Sequence, residues 1–163
     1  MGKTVFFPGT FDPITFGHLD IIKRSISIFD QLIIGIGEHH DKSSFISVDN
    51  RLKLIKESLK EFGIKPDNIE IIVFSGLLVD VLKNNNCNVI IRGVRDAPDF
   101  NYELKLSHTN SMLSENINTI FIPTNAKYSY ISSTIIKQIY KLGGDISQFV
   151  PKNVIHFLND VYE

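Results

Sequence analysis

A single cysteine in 163 residues rules out an intrachain disulfide, so the fold has to rest on packing alone. Cys87 sits at the foot of the apolar run Cys87-Asn88-Val89-Ile90-Ile91, the setting of a small core residue rather than of a nucleophile. Long hydrophobic runs are missing too. None approaches the ~20 residues that span a bilayer, and Met1-Gly2-Lys3 leads into a strand pattern rather than a signal peptide. A cytoplasmic protein with no membrane partner is expected. Nor does charge of one sign dominate: 17 Lys and Arg stand against 18 Asp and Glu, a net charge of −1. That balance speaks against nucleic acid held by bulk electrostatics. Any polyanion would need a local cluster of cations. The dinucleotide fingerprint G-x-G-x-x-G is absent, because Gly35-Ile36-Gly37 is followed by His40 where the third glycine belongs. The absence of G-x-x-x-x-G-K-[ST] excludes a P-loop phosphotransferase.

Apolar residues make up 43% of the chain and charged residues 21%, values of an ordinary globular protein. The length suits one domain over 1–163. Apolar runs at 5–7, 31–37, 69–74, 88–91 and 119–122 alternate with helical spacing at 15–29, 49–62, 77–84, 98–115, 132–141 and 151–162. No internal repeat or linker interrupts them, and Asn84-Asn85-Asn86 reads as a polar helix-to-strand connection. This alternation predicts an α/β fold, a Rossmann-like doubly wound sheet of about five parallel strands with helices on both faces. Such sheets take ligands at the carboxyl ends of the strands, where the strand order reverses.

The most informative segment is Gly9-Thr10-Phe11-Asp12-Pro13-Ile14-Thr15-Phe16-Gly17-His18. It joins a buried strand to a helix whose apolar residues Leu19, Ile22, Ile26 and Phe29 follow at helical spacing. The loop therefore faces the unpaired N–H groups and positive dipole end of a helix, where phosphate is attracted. Thr15 is the expected N-cap, which places His18 in the first helical turn beside whatever anion the loop holds. An ordinary glycine-proline turn with a surface histidine satisfies the same spacing.

Three further segments fall at strand ends. Glu38-His39-His40-Asp41-Lys42 has the residue types of a metal cluster, but adjacent residues rarely aim at one ion, and a solvated loop is the expectation. Arg92-Gly93-Val94-Arg95 places two planar cationic forks where a sheet meets its ligand crevice, followed by Asp99-Phe100-Asn101-Tyr102-Glu103 at a helix start. Lys127-Tyr128-Ser129-Tyr130-Ile131-Ser132-Ser133-Thr134 opens another helix with hydroxyls suited to capping.

Taken together these segments resemble the nucleotidyltransferase superfamily with a T/H-x-G-H turn, here Thr15-Phe16-Gly17-His18. Within it, Pro8-Gly9-Thr10-Phe11-Asp12-Pro13 and the arginine-glycine-arginine and Tyr-Glu combination are similar to the phosphopantetheine adenylyltransferase family. The likeness runs through Gly143-Gly144-Asp145 and Phe149-Val150-Pro151. It implies transfer of the adenylyl group of ATP to 4′-phosphopantetheine, giving dephospho-coenzyme A and pyrophosphate. His18 is then the catalytic residue. Thr10, Phe11, Gly17, Gly93, Val94, Arg95, Glu103, Tyr128, Ser129, Tyr130, Ile131, Ser132, Ser133 and Thr134 join His18 at ATP, and Lys137 adds charge one turn further in. Thr10, Lys42, Leu78 and Arg92 fall at positions for the second substrate. The resemblance also implies a homohexamer and Mg²⁺ carried on the triphosphate, with no metal ligand from a protein side chain; feedback by coenzyme A is left open. Two departures are visible: Thr134 stands where serine is common, and Glu38-His39-His40-Asp41 is unusual before Lys42.

A phosphate monoester has its second pKa near ~6, so the nucleophile is already anionic at neutral pH and needs no general base. The work is to bring two polyanions together in line, with no covalent enzyme intermediate. Two rivals share the same motifs. One is a sister enzyme acting on another phosphate monoester such as nicotinate mononucleotide, which the Arg92 to Arg95 and Tyr102-Glu103 segments disfavour. The other is a non-catalytic nucleotide sensor, which has no need of a transition-state donor at His18.

Overall fold

The structure is a computed structural model that describes residues 3–38 and 44–162. Lys42, with His39, His40 and Asp41, lies outside the described residues. Five parallel strands, β1 (Thr4–Gly9), β2 (Gln31–Gly37), β3 (Ile69–Phe74), β4 (Val89–Val94) and β5 (Asn118–Pro123), form one sheet in the order β3-β2-β1-β4-β5. Helices α1 (Phe16–Ile28), α2 (Val48–Glu61), α3 (Leu78–Asn84) and α4 (Ala97–Leu113) connect them, and α5 (Ser133–Lys141) and α6 (Lys152–Tyr162) follow. This is the expected doubly wound sheet. The strand order reverses at β1, between β2 and β4.

Because side chains alternate across a strand, β1 feeds two cores. Val5 and Phe7 enter the larger one with Leu19 and Ile22 of α1, Leu54 and Ile55 of α2, Ile136 of α5 and Leu158 of α6. Phe6 enters the smaller one with Val79 and Leu82 of α3, Ile90 and Cys87. Cys87 is thus the buried core residue expected, and burial pushes its thiol pKa up.

Two strands run further than their apolar residues suggest. β4 does not stop at Ile91: Arg92, Gly93 and Val94 continue the ladder opposite Phe121, Ile122 and Pro123 of β5. The polar side chain of Arg92 ended the apolar pattern, whereas the backbone pairing did not end there. β1 likewise continues through Pro8 and Gly9, opposite Gly35 and Ile36 of β2. The segment between β5 and α5 holds a short 3-10 turn, Ala126–Tyr128, that periodicity does not reveal.

The sheet is not evenly sewn. β1 pairs β2 from Thr4↔Gln31 to Gly9↔Ile36, while among the described residues β1 meets β4 at Phe6↔Ile90 alone. Past that point Pro8, which has no N–H, cannot continue the ladder to β4.

Gly35 in β2 faces the smaller core at its tightest point. A Cβ there would lie 2.3 and 2.4 Å from atoms of the Phe6 ring, which is itself fully buried and packs edge-on against Phe74 at 5.8 Å. Gly35→Ala is therefore expected to cost about 1–3 kcal/mol through overpacking. Urea denaturation would show it as a lower midpoint, and a midpoint equal to wild type would mean that the Phe6 ring has room to move.

Candidate active site

Helix α1 starts as the sequence predicts. Thr15, with extended backbone, is the N-cap, and its hydroxyl accepts from the backbone N–H of His18 at 3.3 Å. The His18 ring completes a capping box by accepting the Thr15 backbone N–H on Nδ1 at 3.1 Å. An Nδ1 that accepts has its proton on Nε2, so the cap itself selects the tautomer. Burial, together with the charges of Arg95 and Arg92, lowers the His18 pKa to about 4. At neutral pH His18 is therefore an uncharged N–H donor. Phe11 packs against it with ring centroids 5.0 Å apart and takes φ +50, a left-handed backbone that a bulky residue adopts only when its surroundings hold it there.

A cavity of about 620 Å³ opens at the carboxyl ends of β1 and β4. The structure brings Thr10, Gly17 and His18 from the first loop onto its wall, with Arg92, Gly93, Arg95 and Glu103 from β4 and the start of α4. Leu78 at the start of α3 and Ile131, Ser132, Ser133 and Thr134 at the start of α5 complete these predicted positions. Other predicted residues do not line it. The Phe11 ring is in the larger core, Tyr128 packs on Phe16 at 6.1 Å, and Tyr130 stands edge-on to Phe149 at 6.2 Å. Ser129 donates its hydroxyl to the Ala126 carbonyl at 3.0 Å, and Val94 ends β4 away from the wall. Lys42 lies outside the described residues.

Sequence reading reached only the start of one wall. Beyond the Asp99 to Glu103 segment, Leu106 and Asn110 of α4 also line the cavity, with Asp99, Tyr102 and Glu103. The signal was present, since 99, 102, 103, 106 and 110 recur at the three- and four-residue spacing of one helix face.

The cations are held by carboxylates. Arg92 clasps Glu103 with both forks: Nε donates to Oε2 at 2.6 Å and Nη2 to Oε1, while Nη1 donates to the Pro8 carbonyl at 2.7 Å. Glu103 is buried, so its carboxylate belongs to this clasp. Arg95 donates Nε and Nη2 to Asp99 at 3.1 and 2.9 Å, and Nη1 to the Ile131 carbonyl at 3.3 Å. Its hydrogen bond with Asp99 raises the Arg95 pKa further. Lys137 reaches the buried Asp12 at 3.3 Å rather than the cavity. Asp12 also accepts the backbone N–H groups of Phe45 and Ile46 at 2.9 and 2.8 Å, so it ties the first loop to α5 and to the entry of α2. Ser132 caps α5 by accepting from Ile135, and Ser133 donates to the Pro13 carbonyl at 2.9 Å. The caps and the site are thus one structure.

Residues 6–139 match the cytidylyltransferase-like family. A phosphopantetheine adenylyltransferase from Campylobacter hominis is 44% identical over 160 residues, covering 98% of each chain. A second, from Clostridium botulinum strain Hall, is 46% identical over 153 residues, covering 94% of this chain and 91% of its own. The chain belongs to the phosphopantetheine adenylyltransferase family. Solved structures agree on the fold. A Vibrio parahaemolyticus protein assigned as a nicotinate-nucleotide adenylyltransferase superposes with TM-score 0.71 at 20% identity, over 98% of this chain and 93% of its own. A bifunctional NMN adenylyltransferase/ADP ribose pyrophosphatase from Francisella tularensis gives 0.70 at 20% identity, over 92% of this chain and 44% of its own. No helix among the described residues is long and apolar enough to cross a membrane.

The cap around His18 makes a measurable pH dependence. The folded His18 pKa of about 4 lies below the ordinary 6.5, so between those values the unfolded chain binds more protons and acid favours unfolding. The stability advantage of wild type over His18→Ala is expected to be constant above pH 6.5 and to shrink as pH falls towards 4. Urea denaturation of both proteins across that range checks it; an advantage that grows on acidification would contradict the buried neutral imidazole.

Proposed function

We propose that this chain transfers the adenylyl group of ATP to 4′-phosphopantetheine by in-line attack of the substrate phosphate on the α-phosphorus, releasing pyrophosphate. The carrying observation is a neutral imidazole, fixed as an Nε2–H donor by the Thr15 cap, on a cavity wall shared with two carboxylate-braced arginines. The nucleophile brings its own negative charge, so no residue has to remove a proton. His18, whose Nδ1 is committed to the cap, donates from Nε2 to the oxygens of the transferring phosphoryl group rather than acting as a base. Arg92, with Lys42, holds the phosphate of 4′-phosphopantetheine. Arg95, Gly93 and the exposed N–H groups at the start of α5 hold ATP, where the helix dipole favours its phosphates. The two reactants meet between α1 and α5 with their orientation set by these contacts.

Mg²⁺ enters with ATP. The cavity carboxylates Glu103 and Asp99 are engaged by Arg92 and Arg95, a donor set that fits an ion carried mainly by phosphate oxygens and water. When bound, it neutralises charge on the triphosphate and the leaving pyrophosphate. Coenzyme A contains both halves of the product, so we propose that it competes for the same cavity. A cytoplasmic homohexamer is the proposed form. Apolar side chains left exposed on α4 and its neighbours, among them Met112 at 88% exposure, Leu113 and Ile120, support association through that side of the sheet.

Pyrophosphate release from ATP, with 4′-phosphopantetheine compared against nicotinate mononucleotide, tests the assignment directly. Faster turnover of nicotinate mononucleotide would overturn it. Within the reaction, His18→Ala is expected to lower kcat by about 10²–10³ while leaving the dissociation constants of both substrates within a few-fold. A kcat near wild type would make His18 a bystander. Light scattering should give a mass well above the 18.5 kDa of one chain; a monomer would remove the assembly proposal.

A further inference from the structure

One cation at this site differs from the others. Arg51 on α2 is only 4% exposed, and its Nη1 donates to the Thr10 carbonyl at 2.7 Å and to the Gly37 carbonyl at 3.4 Å. Its Nε is buried with no hydrogen-bond partner. Arg92, Arg95 and Lys137 each pair with a carboxylate, but among the described residues none pairs with Arg51.

A buried guanidinium without a counter-ion is expensive, because its charge has left water and gained no ion pair. Bridging two carbonyls does not require that expense; a neutral donor could do it. The positive charge therefore has a use beyond those two bonds. Its position says which. Thr10 follows β1 and Gly37 ends β2, both line the cavity, and Gly37 leads into the segment that carries Lys42. The charge thus lies immediately behind the wall, at the ends of β1 and β2. The same Nη1 bond fixes the carbonyl just before Phe11, whose φ of +50 needs such a restraint.

We propose that Arg51 is a positioning residue for the phosphate of the acceptor substrate: it supplies the counter-charge from behind the wall and holds the Thr10 peptide against that phosphate. This rests on the reading of 4′-phosphopantetheine as acceptor. An anion entering the cavity supplies the counter-charge that no described residue gives Arg51. Because the field acts through low-dielectric protein rather than water, it is weakly screened.

Titration calorimetry on the full chain tests it with three ligands: 4′-phosphopantetheine, pantetheine lacking the phosphate, and ATP. Arg51→Gln keeps a donor for the Thr10 carbonyl and loses the charge, whereas Arg51→Lys keeps the charge. The Kd of 4′-phosphopantetheine is expected to rise about tenfold or more in Arg51→Gln and by less than about threefold in Arg51→Lys. Pantetheine and ATP should stay within about twofold in both. Similar losses for all three ligands would make Arg51 a scaffold residue and overturn the proposal. So would an unchanged 4′-phosphopantetheine Kd in Arg51→Gln. Should Arg51→Gln not fold, Arg51→Met, uncharged and of similar stem, is read by the same criteria. A wild-type chain that does not bind 4′-phosphopantetheine would bring down the acceptor assignment, and this inference with it; that arm is read before any variant.

Discussion

The backbone carbonyls at the carboxyl end of the sheet are the constraint from which the site follows. Pro8 has no N–H to donate, and among the described residues β1 pairs β4 at one position, so the carbonyls beyond it need other donors. Arg92 supplies one to Pro8 from β4, and Arg51 on α2 supplies the Thr10 and Gly37 carbonyls just past the paired residues of β1 and β2. This end of the sheet therefore gathers guanidinium groups because they satisfy its carbonyls. Helices α1 and α5 start at the same end and add their unpaired N–H groups. An anion-binding cavity is the consequence of how this sheet ends.

The carboxylates on Arg92 and Arg95 are best understood as orientation, not as stability. A buried ion pair returns little net free energy after desolvation, but it fixes a planar fork in one attitude. Glu103 grips both donors on one edge of Arg92, and this leaves the remaining donors directed by the Pro8 carbonyl. The resemblance at sequence level assigned Arg92 to one substrate and Glu103 to the other. The geometry makes them one unit. A change at Glu103 would free Arg92, so its effect would spread to both halves of the reaction.

Much of this was legible in the sequence, for definite reasons. The alternation of apolar runs with helical spacing marks the sheet, and Thr15-Phe16-Gly17-His18 marks the cap, because both follow from local chemistry. The ends of β1 and β4 were not legible, since Pro8 and Arg92 break an apolar pattern that the backbone ladder ignores. The α4 wall was legible only as far as Glu103, because Leu106 and Asn110 share the face of Asp99 and Tyr102 without sharing a residue type. Arg51 was invisible for a different reason. Nothing in Val48-Asp49-Asn50-Arg51-Leu52 distinguishes a buried guanidinium from a solvated one; only the fold brings it beneath Thr10.

The uncharged state of His18 then acquires a purpose. Burial first, and then the charges of Arg95 and Arg92 beside it, hold the His18 pKa at about 4, so a further cation at this position is disfavoured. A neutral N–H donor avoids the repulsion before ligands arrive and still donates to phosphate oxygens once they do. A lysine in the same place would carry a charge on a flexible stem, whereas the imidazole is locked by its own Nδ1 into the cap of the helix it serves. The charge needed to bind two polyanions is thus assigned to the arginines, and direction at the reacting phosphorus to the histidine. That division requires the histidine to sit within the first turn of α1, which is where the Thr15 cap puts it.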